Sequence, residues 1–276
     1  MSRTVFRALS GALALVAATV AIPLGASAPA AADSIVIGGQ PAYVKDSPWV
    51  VALSSRERFG ETRAGQFCGG VVVAPKKVLT AAHCLSQEAL GVDLDRVRDL
   101  KVIAGRDSLR GIDGQEIPVQ AAWSNPAFDP ATNKGDLAVL TLAEPLPAES
   151  VVPLAESGDA AYEPGTSAMV YGWGDTTGNS DYASSLRAAK VSVLPDSMCE
   201  RVYPGGRGGT YDASTMLCAG EPQGGYDSCQ GDSGGPLVAR GRLIGLVSWG
   251  NGCGHAGSPG VYTRISAAID WMPERV

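Results

Sequence analysis

Short apolar runs recur along the whole chain: Trp49 to Leu53, Gly70 to Ala74, Lys101 to Ala104, Leu137 to Leu142, Ala168 to Tyr171 and Leu243 to Ser248. Val, Ile, Leu and Thr dominate them, and Gly, Pro, Asn and Asp separate them. Many short strands punctuated by turn residues predict an all-β sandwich or pair of barrels and argue against alternating βα units. One helix is predicted, from Ile265 to Met272, with Ser266 as its cap. The segment AEPLPAESVVPLAESGDAAYEPG, Ala143 to Gly165, holds four prolines and little alternation, so an interdomain connection is placed within it.

The first residues change the picture. Arg3 and Arg7 precede an apolar run from Ala8 to Leu24, and small residues follow to Ala30-Ala31-Ala32. This pattern reads as a secretory signal peptide over residues 1–32. The run carries Gly11 and Pro23 and no second span follows, so a membrane partner is not expected. About 240 residues then remain, a length that suits one large domain or two small ones, and the connection within Ala143 to Gly165 divides them into halves at 36–150 and 151–276.

The net charge of the whole chain is -6, and loss of Arg3 and Arg7 makes the remainder more acidic, which argues against nucleic-acid binding. Six cysteines in an exported chain read as three disulfides, with fifteen pairings open. No CxxC or regular Cys/His spacing suggests zinc, so no metal site is expected from them. The Gly-rich YPGGRGGTYD, Tyr203 to Asp212, lacks the GK[ST] ending of a phosphate loop and reads as a surface loop.

Candidate chemistry concentrates in YDSCQGDSGGP, Tyr226 to Pro236, which offers two serines and two aspartates. A hydroxyl nucleophile needs a base that titrates near neutrality, and histidine is the usual choice. There are two, His83 and His255. His83 stands in LTAAHC at a strand end beside a cysteine, whereas His255 lies among Gly, Asn and Ser, so only His83 reads as held in place. GDSGG also fits the GxSxG elbow of α/β-hydrolases, whose chain order is Ser, acid, His. After Ser233 the sole histidine is His255, no Asp or Glu lies between them, and the elbow reading fails.

TAAHC, DLAVL, GDSGGP, SWG and PGVYT follow one another in the order found in trypsin-like serine proteases, which the chain resembles from Val36 to its C-terminus. The resemblance implies two six-stranded antiparallel β-barrels with the active site between them and a C-terminal helix. Ser233 is similar to the family's nucleophile, His83 to its general base and acid, and Asp136 to the carboxylate that orients the imidazole. Asp136 is one of 28 acidic residues, and only the family pattern selects it. The oxyanion hole falls to the backbone N–H groups of Gly231 and Ser233, while Gly234 and Gly235 permit the tight turn.

Asp227 resembles the carboxylate at the base of the family's primary specificity pocket, with Ser228 adding a hydroxyl and with Gly250 and Gly260 leaving the way open. Ser248, Trp249 and Gly250 resemble the segment that pairs with extended substrate. Trp49, Trp123, Trp173 and Trp271 read as packing residues. Asp232 resembles the residue that pairs with a new α-amino group after activation. The matching N-terminus is VIGG, beginning at Val36, which leaves the short propeptide Asp33-Ser34-Ile35. Ile35 before the cut is a departure from many trypsins and argues against self-activation.

Family pairing of the cysteines is Cys68 with Cys84, Cys199 with Cys218, and Cys229 with Cys253, without the extra bridges of vertebrate members, a pattern of bacterial (actinobacterial) trypsins. No cofactor is expected. The loop Gly105 to Glu116 resembles the family's calcium loop at Glu116 and Asp113 but carries Arg106 where a ligand carboxylate is usual. The expectation is therefore a secreted, monomeric serine endopeptidase cleaving after Arg or Lys. Its partners are protein or peptide substrates, an activating protease and a protein inhibitor. Two alternatives stand beside it. One is altered specificity, through Tyr226 and the loop from His255 to Ser258. The other is a catalytically silent binding homologue.

Overall fold

The computed structural model describes residues 39–273; the leader, the propeptide and Val36 lie outside the described residues. A two-residue strand, β1 (Gln40–Pro41), precedes the first barrel. That barrel consists of β2 (Val50–Ser54), β3 (Gln66–Ala74), β4 (Lys77–Thr80), β5 (Lys101–Ala104), β6 (Gln115–Ser124) and β7 (Ala138–Leu142), closed in the order β2-β3-β4-β7-β6-β5. The second barrel consists of β8 (Ser167–Gly172), β9 (Arg187–Val193), β10 (Met216–Gly220), β11 (Pro236–Ala239), β12 (Arg242–Trp249) and β13 (Gly260–Arg264). It runs β9-β10-β13-β12-β11-β8 and closes through β8 with β9. All of these pairings are antiparallel. The fold is thus the expected pair of six-stranded barrels, and closure leaves neither with a free edge.

Successive side chains of a strand point to opposite faces, and here both faces are often covered. In β3, β4 and β7 the residues Val72, Val78 and Leu140 fill the first barrel, while their neighbours Val71, Leu79 and Val139 face outward. In β12, Ile244 and Val247 fill the second barrel, while Leu243 and Leu246 face outward. The outward sets meet, together with Leu137, Val238 and Ile265, in an apolar layer between the barrels. Two-sided burial explains why these segments read as continuous apolar runs. Each fully buried Val, Leu or Ile contributes about 1.5 to 3 kcal/mol.

The terminal helix is shorter than predicted: an α-helix spans Ile265–Ala268 and a 3-10 turn Ile269–Trp271. Ser266 is not its cap. Arg264 occupies that position, and the Ser266 N–H, inside the first turn, donates to the Tyr162 hydroxyl at 2.9 Å. A further helix, Asp196–Val202, went unpredicted. The Gly-rich loop is anchored at both ends by buried Tyr203 and Tyr211. Disulfides join Cys68 to Cys84, Cys199 to Cys218 and Cys229 to Cys253, across separations of 16, 19 and 24 residues. Each is worth about 3 kcal/mol in the chain-entropy estimate. Among the described residues, no helix is long and apolar enough to cross a membrane.

Candidate active site

β4 ends at Thr80, and the chain turns through a short 3-10 segment, Ala82–Leu85, that carries His83. Asp136 immediately precedes the apolar run Leu137–Leu142 that becomes β7, and β7 pairs with β4, so the two residues start from neighbouring strands. The Asp136 carboxylate, 0% exposed, accepts from the His83 backbone N–H at 2.9 Å and hydrogen-bonds His83 Nδ1 at 2.8 Å. The Ser248 hydroxyl donates to the same carboxylate at 2.5 Å. Thr263 Oγ1 donates to the Asp136 carbonyl at 2.7 Å, so two second-barrel strands grip a first-barrel residue. Burial alone would push the His83 pKa down; the charge and hydrogen bond of Asp136 outweigh it and hold the imidazole above its ordinary value. With Nδ1 donating to Asp136, Nε2 is the free basic nitrogen.

Ser233 comes from the second barrel, in the turn before β11. Its carbonyl accepts from the Gly69 N–H at 2.8 Å. Cys84 Sγ lies 3.6 Å from that carbonyl and 3.9 Å from His83 Nε2, so the serine's backbone and the imidazole flank one disulfide. Gly234 has φ +76°, and a Cβ there would sit 2.1 Å from Thr80 Oγ1, so both backbone angle and space demand glycine. Gly231 has φ +91°.

Asp232 is 0% exposed, and its oxygens accept from Gly174 N at 2.7 Å and Cys229 N at 2.9 Å. Burial raises its pKa to about 6, against the pull of those two donors and of the Arg63 charge.

Asp227, 3% exposed, lines one cavity together with Ser228, Ser233, Ser248, Trp249, Gly250 and Gly260. It accepts from Ser228 N at 2.8 Å and Gly254 N at 3.0 Å, and burial pushes its pKa up to about 7. A Cβ on Gly260 would lie 2.7 Å from Asp227 Oδ1, whereas one on Gly250 would meet nothing closer than 3.5 Å. The Trp249 ring meets Tyr203 edge-on at 4.9 Å, and the Gly209 backbone lies against its other atoms. His255 is exposed on its loop and joins no part of this cluster.

Sequence reasoning overlooked four residues that touch the site: Gln66, Arg63, Thr263 and Asp175. Gln66 donates to the Gly231 carbonyl, and the Asp175 N–H donates to the Gln230 carbonyl. Ser248 was read only as backbone for substrate, yet its hydroxyl belongs to Asp136. In the loop Gly105 to Glu116 the carboxylate of Glu116 is held by Arg56 in two hydrogen bonds of 2.7 Å and by Arg106 at 2.9 Å. Arg106 Nε also donates to the Asp113 carbonyl at 2.5 Å. Two guanidinium groups on the one carboxylate leave a divalent cation repelled, and the donor set does not fit calcium. Hydrogen bonds from Arg56, followed by those from Arg106, take the Glu116 pKa down to about 2 despite partial burial.

Two closed barrels, with a buried aspartate bonded to a half-buried histidine on one and a GDSGG turn on the other, define a serine hydrolase of the two-barrel type. Residues 36–272 match the trypsin family model, and the chain belongs to that family as a trypsin-like serine endopeptidase, a hydrolase acting on protein substrates. It is 40% identical to a trypsin of Saccharopolyspora erythraea over 243 residues, 87% of this chain and 98% of that one. It is 33% identical to a trypsin of Sus scrofa, covering 88% of this chain and 96% of the relative. Kallikrein-14 of Homo sapiens is 37% identical, covering 88% and 84%.

Proposed function

We propose that this is a secreted endopeptidase, made as a precursor, that cleaves on the carboxyl side of Arg and Lys. The observation that carries the specificity is Asp227: a carboxylate 3% exposed, in a cavity that also holds Ser233, bonded by the backbone N–H groups of Ser228 and Gly254 and by no cation among the described residues. A guanidinium or ammonium entering that cavity gains a desolvated counter-charge, which an uncharged side chain does not.

Ser233 is the nucleophile. His83 Nε2 removes its proton as Oγ attacks the substrate carbonyl, and Asp136 holds the imidazole and stabilises it when charged. The backbone N–H groups of Gly231 and Ser233 receive the oxyanion, each worth about 2.7 to 4 kcal/mol in the transition state. His83 then protonates the leaving amine, and water hydrolyses the acyl-enzyme by the same route. The Ser248–Gly250 backbone aligns the substrate as an added strand beside Trp249.

The precursor is activated by cleavage before Val36, whose new α-amino group pairs with Asp232. Support comes from β1: Pro41 pairs with Arg187, which also pairs with Gly172, and a Cβ on Gly172 would touch Asp232 Oδ1. Ile35 at the cut calls for another protease. Residues 1–32 are the signal peptide and 33–35 the propeptide, with the halves dividing at 150 and 151. The mature enzyme is a monomer without a cofactor, the Arg56–Glu116–Arg106 cluster filling the loop that resembles the family's calcium loop. A protein inhibitor fits the same cleft as substrates.

A peptide-library cleavage profile of the secreted protein tests the reading. Cuts after Arg and Lys that vanish on prior labelling of Ser233 with a fluorophosphonate are expected. A preference for uncharged residues, or full activity after labelling, would overturn it.

A further inference from the structure

Gly231 is gripped through both of its peptide bonds. The Gln230 carbonyl, in the same peptide plane as the Gly231 N–H, accepts from Asp175 N at 2.7 Å. The Gly231 carbonyl, in the next plane, accepts from Gln66 Nε2 at 2.8 Å. Gln66 is 6% exposed and its amide has one workable orientation. Nε2 also donates to the Cys68 carbonyl at 3.2 Å, while Oε1 accepts from Arg63 Nη2 at 2.5 Å. A guanidinium only donates, so Arg63 draws the amide oxygen to itself and leaves the amide nitrogen for Gly231.

Arg63 does more than orient Gln66. Its Nε donates to the Ala183 carbonyl at 2.8 Å, its Nη2 also donates to the Trp173 carbonyl, and its guanidinium lies over the Tyr182 ring at 5.0 Å. Trp173 and Ala183 bound the loop that contains Asp175. Within that loop the buried Asp175 carboxylate accepts the N–H groups of Thr177, Gly178, Ser180 and Asp181. One guanidinium therefore fastens both grips on Gly231. The backbone that presents it is unusual: Arg63 and Ala64 have φ of +55° and +52°, followed by Gly65 at +70°. Left-handed non-glycine residues are uncommon and persist where surroundings over-determine them. The Arg63 charge also offsets the effect of burial on Asp232.

We propose that Gln66 and Arg63 are positioning residues for the oxyanion-binding peptide, holding the Gly231 N–H toward the reacting carbonyl. This rests on the reading of Gly231 as an oxyanion donor. Glycine at a positive φ leaves that peptide free to rotate, and the two grips remove the freedom. A group that acts only through Gly231 contributes to the transition state and little to ground-state binding.

Gln66→Ala and Gln66→Glu in the active enzyme separate positioning from simple buttressing. Gln66→Glu keeps a partner for Arg63 but sets a carboxylate oxygen against the Gly231 carbonyl. Expected are a kcat on an Arg peptide amide lower by roughly tenfold in Gln66→Ala, short of outright loss of an oxyanion donor, and by roughly a hundredfold in Gln66→Glu, at the lower end of the range for such a loss. KM, benzamidine affinity and the unfolding temperature of Gln66→Glu are expected to stay near the parent's. A Gln66→Glu kcat within twofold of the parent overturns the proposal, as does a loss of kcat matched by equal losses of benzamidine affinity and thermal stability. Retained turnover in Ser233→Ala would instead overturn the reading of the site beneath it.

Discussion

Replacing Asp227 by Ser removes a carboxylate that is 3% exposed and leaves the hydrogen bonds of His83 and Asp136 untouched. A substrate guanidinium entering that cavity then loses its water without gaining a counter-charge. Leaving one member of a buried pair alone costs about 3 to 5 kcal/mol. At about 1.4 kcal/mol per power of ten, kcat/KM for an Arg substrate falls by roughly two to four powers of ten. A matched Phe substrate owes nothing to that charge, so the Arg-to-Phe ratio falls by the same factor. The raised pKa adds a second signature. Burial holds the free carboxyl at about 7, so below that pH it is protonated, and an arriving cation must expel the proton. The wild-type Arg-to-Phe ratio is therefore expected to rise with pH through about 7 and then level off, whereas in Asp227→Ser it is flat. His83 serves both substrates, so its own titration cancels in the ratio. The assay is kcat/KM for two peptide amides that differ only in the residue before the cut, from about pH 5.5 to 8.5. A mutant that keeps the wild-type ratio refutes the reasoning, and another carboxylate must then select the substrate.

Ser233→Ala and His83→Ala are each expected to lower kcat by up to about a millionfold, read by burst and steady-state kinetics on an amide substrate. Because Asp136 holds the His83 pKa above its ordinary value, kcat for a neutral substrate rises with pH through a midpoint above about 6.5; a profile flat from about pH 5 to 8 would exclude a histidine base. N-terminal sequencing of the active enzyme is expected to begin at Val36, and fully active protein beginning at Asp33 would remove Asp232 from activation. The Glu116 pKa, lowered to about 2, makes its stabilisation complete above about 4.5 and lost as pH falls toward 2. Solvent screening of this partly exposed cluster holds that contribution below about 3 kcal/mol, so Glu116→Gln lowers the unfolding temperature at neutral pH and flattens the acid slope, while a chelator leaves the parent's unfolding temperature unchanged.

The strands that read clearly in the sequence are those buried on both faces, such as β7, where Ala138, Leu140 and Val139 all sit in apolar surroundings. β6 left no such trace, because most of Gln115–Ser124 is exposed or half-exposed and its register is set by β5 and β7 rather than by its own pattern. At the terminal helix the local pattern does not locate the cap, because the Ser266 N–H lies in the first turn and finds its acceptor in the Tyr162 hydroxyl, 104 residues away along the chain. At the site, GDSGGP carries a local signal because its tight turn demands glycine, and TAAHC carries another because its histidine stands at a strand end beside a cysteine. Asp136 carries none by itself, and neither do Gln66 and Arg63. Their significance comes from partners 165 and 110 residues away along the chain, at Gly231 and Trp173. Asp175 left a fainter signal: DTTGNSD is the composition of a loop closed by side-chain-to-backbone bonds.

The apolar layer shared by the barrels bears on how such a molecule is altered by mutation or design. Val71, Leu79 and Val139 on one side interlock with Val238, Leu243 and Leu246 on the other, so neither half presents a surface that water would tolerate alone. A half taken from one relative and joined to the other half of a second inherits a mismatched seam, and the first casualty is the registry between His83 and the turn of Ser233. The rims face a narrower constraint: the segments 175–182, 203–212 and 250–259 lie outside the seam, so changes that spare their anchors at Asp175, Tyr203, Tyr211, Cys253 and Gly254 leave it intact. New preferences in such a scaffold arise by editing its rims, whereas recombination across its waist dismantles the reaction centre.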